Sequence, residues 1–169
     1  VGWDLEHYPE KRHRWQLDAG WHDAGNYDMY VPSTAPTAQA LLLAYEWDPS
    51  RFDDAELELP ESGNGVPDIL DEARWGLRWV LSMQGPGGAF RHREAVMTSS
   101  PELPADQDTT ERWVAGPSTA ATAKAVAALA HASRVYAAHD AAFAKTCAAA
   151  AKRGWQWLAA QPARVIADG

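Results

Sequence analysis

The chain has 169 residues, a length that suits one domain with a hydrophobic core of its own. Its 23 acidic residues outnumber its 15 basic residues, and the net charge of −8 argues against a nucleic-acid partner, whose phosphates demand a basic surface. No apolar run approaches the roughly 20 residues that a membrane span needs, and the single cysteine, Cys147, excludes a disulfide within the chain.

The first third of the chain changes from irregular structure to a helix. Residues 1–33 mix charged residues, aromatic residues and glycines without a sustained period, which predicts a loop-rich segment. A short helix is predicted over residues 34–45, with Ser33 or Thr34 as its N-cap and Pro36 in its first turn.

A second helix is predicted from Pro67 to about Gln84. Its apolar residues recur at spacings of three and four, and its first turn carries acidic side chains that favour the positive end of the helix dipole. Residues 85–117 then form a long connection with a possible short strand at residues 89–92. A connection of this length in a compact domain is usually functional.

Two alanine-rich helices are predicted in the last third, over residues 118–138 and 141–160. Small side chains allow two helices to approach closely. Cys147 falls on the apolar face of the last helix, so we expect it to be a core residue rather than a nucleophile. Nine tryptophans are also unusual for this length, and although most should belong to the core, indole rings also stack on sugar faces.

The densest group of residues able to do chemistry is the segment Gly20–Asp28, which reads GWHDAGNYD. The small residues between Asp23 and Asn26 let the backbone turn tightly, so both side chains can face one spot. An aspartate held in this way can accept a proton from water if a separate acid lies across the substrate. The competing interpretation is an Asx-turn that caps the next helix.

This segment resembles the Gly-Gly-Trp-(Tyr/His)-Asp-Ala-Gly-Asp motif of glycoside hydrolase family 9, the family of inverting cellulases. The resemblance continues in the same order along nearly the whole chain. Its further segments are Tyr30-Val31, Leu42 to Glu46, Pro60 to Glu72 (PESGNGVPDILDE), Trp75, Leu81, Met83-Gln84, Gly88, His92, Arg112, Ser118 to Ala123 and Ala132 to Val135.

The resemblance implies an all-α fold, a partial (α/α)6 barrel in which this chain supplies the first third to half of a six-hairpin double ring. Residues 1–169 are then expected to form the N-terminal portion of the catalytic domain. In the family, aspartates of the motif activate a water molecule, and a glutamate far toward the C-terminus protonates the leaving oxygen. No segment here resembles the motif of that glutamate, so the proton donor and the C-terminal part of the domain are expected outside this chain.

One departure from the family pattern lies in the motif itself. The resemblance places the principal base at position 26, which is Asn26 here, and an amide does not take up a proton at ordinary pH. Asn26 is then an engineered change that disables hydrolysis, a natural divergence, or a sign that Asp23 or Asp28 takes over as base. Natural divergence is favoured because residues 28 and 29 also depart from the pattern.

Substrate contacts are predicted on the long connection, which lines part of the cleft in the family. Trp113 could stack on a sugar while Arg112 and His92 bind hydroxyl groups; alternatively, Arg112 pairs with Glu111 or Asp108 on a solvated loop. No metal site is predicted, because His22 beside Asp23 lacks a third ligand in register. No cofactor is required, although family members often bind a structural calcium ion, whose ligands the sequence does not identify.

The function that these observations predict is hydrolysis, with inversion, of β-1,4-glycosidic bonds in cellulose-like glucans. The alternatives are an exo-acting glucosaminidase of the same family and a catalytically inactive carbohydrate-binding homologue, which Asn26 favours. The expected partner is a polysaccharide or oligosaccharide, with neither nucleic acid nor membrane. Because polymers do not enter cells, an extracellular or periplasmic location is expected. This chain by itself should be inactive, and it should be poorly stable or oligomeric.

Overall fold

The computed structural model describes residues 2–4, 14–96, 103–161 and 163–166. Among them are four α-helices: α1 (Val31–Trp47), α2 (Asp68–Ser82), α3 (Thr119–Val135) and α4 (Ala141–Ala160). Single 3-10 turns follow α1 at Pro49–Arg51 and α3 at Tyr136–Ala138. Five short strands complete the described structure: β1 (Gly2–Asp4), β2 (Arg14–Trp15), β3 (Met29–Tyr30), β4 (Arg93–Val96) and β5 (Arg112–Val114).

The predicted bounds hold for three of the helices. The α4 helix spans the predicted residues because the Asp140 side chain caps it, accepting hydrogen bonds from the first-turn amides. The Ser118 hydroxyl does the same for α3, whose last predicted residues form the 3-10 turn instead. In contrast, α1 begins at Val31, before the predicted cap at Ser33 or Thr34, because Pro32 is accommodated in its first turn.

The core forms where α1 packs against α2 and α3, and where α3 packs against α4. Small residues permit the last contact: a Cβ atom added to Gly154 would lie 2.6 Å from Val126 Cγ2. Cys147 is fully buried in this interface, and its burial raises the thiol pKa to about 12. The prediction that Cys147 is a core residue is therefore confirmed.

The strands form one sheet in the order β2-β1-β5-β4-β3, in which only the β1–β5 pair is parallel. The strand predicted at residues 89–92 is displaced: Phe90 and Arg91 make single bridges, and continuous pairing begins at Arg93. The reason is that β4 is defined by β3 and β5, its distant partners in sequence. The sheet brings the motif segment before α1 beside the long connection.

No helix in the described part of the chain is both long enough and apolar enough to cross a lipid bilayer.

Candidate active site

The motif segment is anchored to α2 by two indole rings. The Trp21 ring lies against Gly76, where an added Cβ atom would lie 2.3 Å from the ring carbon Cζ3. The Trp21 indole N–H donates to Glu72 Oε1 at 2.7 Å, and the Trp75 indole N–H donates to the Gly20 carbonyl at 2.8 Å. Trp21 therefore buttresses the motif from one side, as a wedge that only a glycine at position 76 admits.

Beyond Trp21 the chain makes a tight turn that returns to β3. The Asp23 amide donates to the Asp28 carbonyl at 2.7 Å, and the Tyr27 amide donates to the Ala24 carbonyl at 3.0 Å. Tyr27 closes the turn in the left-handed conformation, with φ of 59°. This conformation costs a residue with a large side chain about 1–2 kcal/mol, so contacts elsewhere must hold it.

Asn26 and Asp28 form a side-chain pair inside this turn. The Asn26 amide nitrogen donates to Asp28 Oδ2 at 2.8 Å, and the Val96 amide of β4 donates to Asp28 Oδ1 at 3.1 Å. Asp28 is buried, with 5% of its surface exposed. Both oxygens of its carboxylate are thus occupied by protein donors, and the carboxylate orients the Asn26 amide.

Asp23 has the opposite environment. Asp23 is exposed, and within the described residues no hydrogen bond or ion pair holds its carboxylate. In this turn Asp23 therefore has the carboxylate that is open to water. The side chain of Asn26 faces Asp28 instead of sharing an open spot with Asp23.

The competing interpretation, an Asx-turn that caps the next helix, agrees with the structure only in its first part. The Asp28 amide donates to Asn26 Oδ1 at 3.5 Å, which is the contact of an Asx-turn, but this turn does not cap α1. The N-cap of α1 is Tyr30, and no side chain accepts a hydrogen bond from the first turn of this helix. The carboxylates of the motif are accordingly not used in capping.

His92 lies next to β4, with its ring 6.2 Å from that of Tyr30 in an edge-on arrangement. Its Nδ1 lies 2.9 Å from the Ser118 hydroxyl. That hydroxyl oxygen also accepts from the Ala121 amide, so Ser118 joins the His92 ring to the first turn of α3. Burial and the nearby charge of Arg93 lower the pKa of His92, which favours the neutral form of the ring.

Arg112 is engaged by the protein on two sides. One terminal nitrogen donates to the Tyr27 carbonyl at 2.6 Å, and the other donates to Asp108 at 2.9 Å. The pairing with Asp108 that the sequence offered as an alternative is therefore present. The loop around Asp108 is exposed at residues 103–107, 109 and 111, but the side chains of Arg112 and Asp108 are only 17% and 3% exposed, so the pair itself is shielded from solvent.

Trp113 follows Arg112 on β5, where it is paired with Ala95 of β4. Since successive side chains of a strand point to opposite faces, Trp113 and Arg112 face different sides of the sheet. The structure thus brings Arg112 to the motif turn and directs Trp113 away from that face. Stacking of Trp113 on a sugar remains a prediction.

With the geometry of the turn described, the comparison with known proteins decides the family. The model of glycosyl hydrolase family 9 matches residues 4–168. The chain belongs to glycosyl hydrolase family 9. Endoglucanase D of Acetivibrio thermocellus is 36% identical over 151 residues, which cover 88% of this chain and 24% of that protein. Endoglucanase C of Cellulomonas fimi is 36% identical over 173 residues, covering 96% of this chain and 15% of that protein.

Solved structures agree with this assignment. A metagenome-derived endoglucanase of family 9 superposes with a TM-score of 0.90 at 49% identity, over 97% of this chain and 30% of that structure. The family 9 structures are (α/α)6 barrels, which confirms the predicted fold class. The chain spans about a quarter or less of the length of the two curated relatives.

In this family 9 chain, the described residues hold one cluster with the donors for a metal ion, formed by Asp54, Asp68 and Asp71. Most of its oxygens already accept hydrogen bonds, from amides of residues 57 and 63–65 and from the side chains of Ser62 and Asn64. The remaining oxygen, Asp71 Oδ1, lies 4.0 Å from Arg74 Nε. That oxygen is buried and accepts no hydrogen bond within the described residues, and burial together with the nearby charges of Glu61 and Asp54 raises the pKa of Asp71. Protein donors therefore balance this cluster only in part, and calcium binding stays a prediction.

Two contributors to the site were not identified from the sequence. Tyr30 receives a hydrogen bond from Arg93 at 3.1 Å and lies with its hydroxyl 3.5 Å from Asp28 Oδ2. For Asp108 the sequence predicts only a pairing with Arg112 on a solvated loop. The available signal was the i,i+4 spacing of Asp108 and Arg112, but their contact with a turn about 85 residues earlier depends on the sheet.

Proposed function

We propose that this chain belongs to an enzyme that hydrolyses β-1,4-glycosidic bonds of cellulose-like glucans with inversion, and that Asp23 is the base. The observation that carries the proposal is the contrast within one turn: the Asp23 carboxylate is open to water, whereas the Asp28 carboxylate is buried with both oxygens occupied. The names of the endoglucanase relatives support this substrate class.

In the proposed reaction, Asp23 takes a proton from a water molecule as the oxygen of that water attacks the anomeric carbon. The bond from this carbon to the leaving sugar oxygen breaks, and a glutamic acid outside this chain protonates that oxygen. Inverting enzymes keep the two carboxyl groups about 6.5–9.5 Å apart, so that the water fits between them.

His92 is proposed to bind a sugar hydroxyl. Its Nδ1 is already held by Ser118, and its lowered pKa favours a neutral ring, so Nε2 is the ring nitrogen left for a ligand. A glucan polymer also implies an extracellular or periplasmic place of action, because such a substrate does not enter cells.

The test uses the complete protein in which this chain occurs, with cello-oligosaccharides as substrates and reducing ends as the measured product. Asp23→Asn is expected to lower kcat about a hundredfold to ten-thousandfold, which is the contribution of a general base. Asp53→Asn, which neutralises an exposed aspartate outside the motif, is the matched control and should keep full activity. Unchanged kcat in Asp23→Asn would exclude Asp23 as the base.

A second candidate function is binding without hydrolysis, which the amide at position 26 favours. In this case the unmodified complete protein binds cello-oligosaccharides in calorimetry but releases no reducing ends. Hydrolysis that appears only in Asn26→Asp would select this candidate. Hydrolysis by the unmodified protein that depends on Asp23 would exclude it.

A further inference from the structure

Tyr27 of the motif turn is held by two residues of the long connection, Leu103 and Arg112. The Tyr27 hydroxyl donates to the Leu103 carbonyl at 2.6 Å, while Arg112 donates to the Tyr27 carbonyl, also at 2.6 Å. Tyr27 is the left-handed residue of the turn. Because such a conformation persists only where surrounding contacts impose it, these two bonds identify what holds the turn in shape.

Arg112 is itself fixed by a buried acceptor. Asp108 accepts from its second terminal nitrogen at 2.9 Å, and the Thr110 amide donates to the other oxygen of Asp108 at 2.9 Å. Hydrogen bonds from Thr110 and the charge of Arg112 lower the pKa of Asp108, so the carboxylate stays ionised. The planar guanidinium thus spans a carboxylate and a carbonyl at once, which the single ammonium group of a lysine does less well.

This contact is connected to the proposed base through the backbone. The carbonyl that Arg112 holds belongs to the peptide between Tyr27 and Asp28. The carbonyl of Asp28, one residue later, accepts the hydrogen bond from the Asp23 amide at 2.7 Å. The two carbonyls lie in adjacent peptides, so a change in the Tyr27 conformation that displaces Asp28 would also weaken the hydrogen bond that holds the Asp23 backbone.

We propose that Arg112, supported by Asp108, is a positioning residue for Asp23: it holds Tyr27 in its left-handed conformation and thereby fixes the Asp23 carboxylate toward the substrate water. The proposal rests on the proposed function in so far as Asp23 is the base. It also assigns Arg112 a role distinct from the sugar contact that the sequence suggested, because both of its terminal nitrogens are engaged by the protein.

The kinetic test compares Arg112→Ala, Arg112→Lys and Asp108→Asn in the complete protein, well below its melting temperature. For Arg112→Ala we expect kcat to fall about tenfold to a hundredfold, the effect of misplacing a reacting group, while KM stays within about twofold. Arg112→Lys and Asp108→Asn should lie between this variant and the unmodified protein. Arg51→Ala, which removes an exposed ion pair with Asp48, is the control and should change neither constant.

Two kinetic results would overturn the proposal. A rise in KM that equals or exceeds the fall in kcat would make Arg112 a substrate-binding residue. A loss explained entirely by a smaller fraction of folded enzyme, with kcat per active site unchanged, would make Arg112 purely structural.

Hydrogen exchange provides a second readout that does not depend on activity. In Arg112→Ala, peptides covering residues 21–28 should exchange at least about tenfold faster, because the Asp23 amide loses its protected position. Exchange as slow as in Arg51→Ala would overturn the positioning role even if kcat fell. If the unmodified protein hydrolyses nothing while exchange still accelerates, the proposed function fails but the hold on the turn stands.

Discussion

Asn26→Asp is the substitution whose effect follows most directly from the geometry of the motif. It replaces the amide that donates to Asp28 Oδ2 at 2.8 Å by a second carboxylate. Two carboxylates at this distance do not both ionise readily, so the pair is expected to retain a proton that the unfolded chain would release. The substitution therefore makes stability depend on pH.

The magnitude follows from the distance and the burial. At an effective dielectric constant of about 20, two unit charges 2.8 Å apart repel by about 6 kcal/mol. Retaining a proton costs about 1.4 kcal/mol per pH unit above the ordinary aspartate pKa of about 4, which gives about 1.4 kcal/mol at pH 5. At pH 8, rotating the half-buried side chain of residue 26 toward water costs less than retaining the proton. This rotation leaves Asp28 with an unpaired buried oxygen, and it limits the loss of stability to about 3 kcal/mol.

The direction of this pH dependence is that of a carboxyl group whose pKa is higher in the folded state than in the unfolded state. Its penalty is small near the unfolded pKa of about 4 and grows as pH rises through the folded value. Unfolding free energies of the complete protein, measured by urea titration at pH 5 and pH 8, should thus show a larger loss at pH 8. Asn26→Leu, which removes the donor without adding charge, is the control, and its loss should differ less between the two pH values than that of Asn26→Asp.

The double exchange Asn26→Asp with Asp28→Asn restores one amide and one carboxylate, so it should recover most of the lost stability. Equal losses for Asn26→Asp at the two pH values, or a double variant no more stable than the single one, would refute the hydrogen-bonded pair.

Three further predictions concern packing, titration and association. Gly76→Ala should destabilise the complete protein by about 1–3 kcal/mol in thermal melting, because the added Cβ meets the Trp21 ring. Gly25→Ala is the control and should be near neutral, because its Cβ meets nothing within 4 Å. Equal effects of the two substitutions would contradict the wedge. The pKa of His92 is lowered from 6.5, so neutral His92 stabilises the fold above that pH, and this stabilisation is lost as pH falls. His92→Gln should therefore flatten the dependence of the unfolding free energy on pH between 7 and 5. An unchanged slope would exclude this contribution. The isolated chain should self-associate in sedimentation experiments through the apolar surface around Trp155, which is 64% exposed, and Trp155→Gln should weaken association; a purely monomeric isolated chain would refute this.

The helices were predictable because their signals are local. Asp140 and Ser118 each lie directly before an alanine-rich run, and their side chains cap α4 and α3. Pro67 lies directly before α2 as its N-cap residue, where its fixed φ marks the boundary although no side chain caps this helix. The start of α1 was missed because two sites compete: Ser33 and Thr34 resemble caps, but the chain becomes helical directly after β3, and β3 exists only through pairing with β4.

The site was predictable in its residues and less so in its geometry. The motif identified Asp23, Asn26 and Asp28. Which carboxylate is open to water follows from their burial, and Asp28 is covered by β4, whose Val96 amide donates to it. Likewise, the contact between Arg112 and Tyr27 joins residues far apart in sequence. Hydrophobic periodicity and helix-capping residues are local signals, so they do not predict contacts between such distant residues.

The most direct test of Asp23 as the base is replacement of its carboxylate by an external nucleophile. In the complete protein, Asp23→Gly is assayed on cello-oligosaccharides with sodium azide, and the configuration of the product is read by NMR. We expect azide to restore turnover and to yield the α-glycosyl azide, because azide occupies the place of the water and attacks with inversion. An unchanged rate with azide, or restoration in Asp28→Gly instead, would contradict the assignment of Asp23.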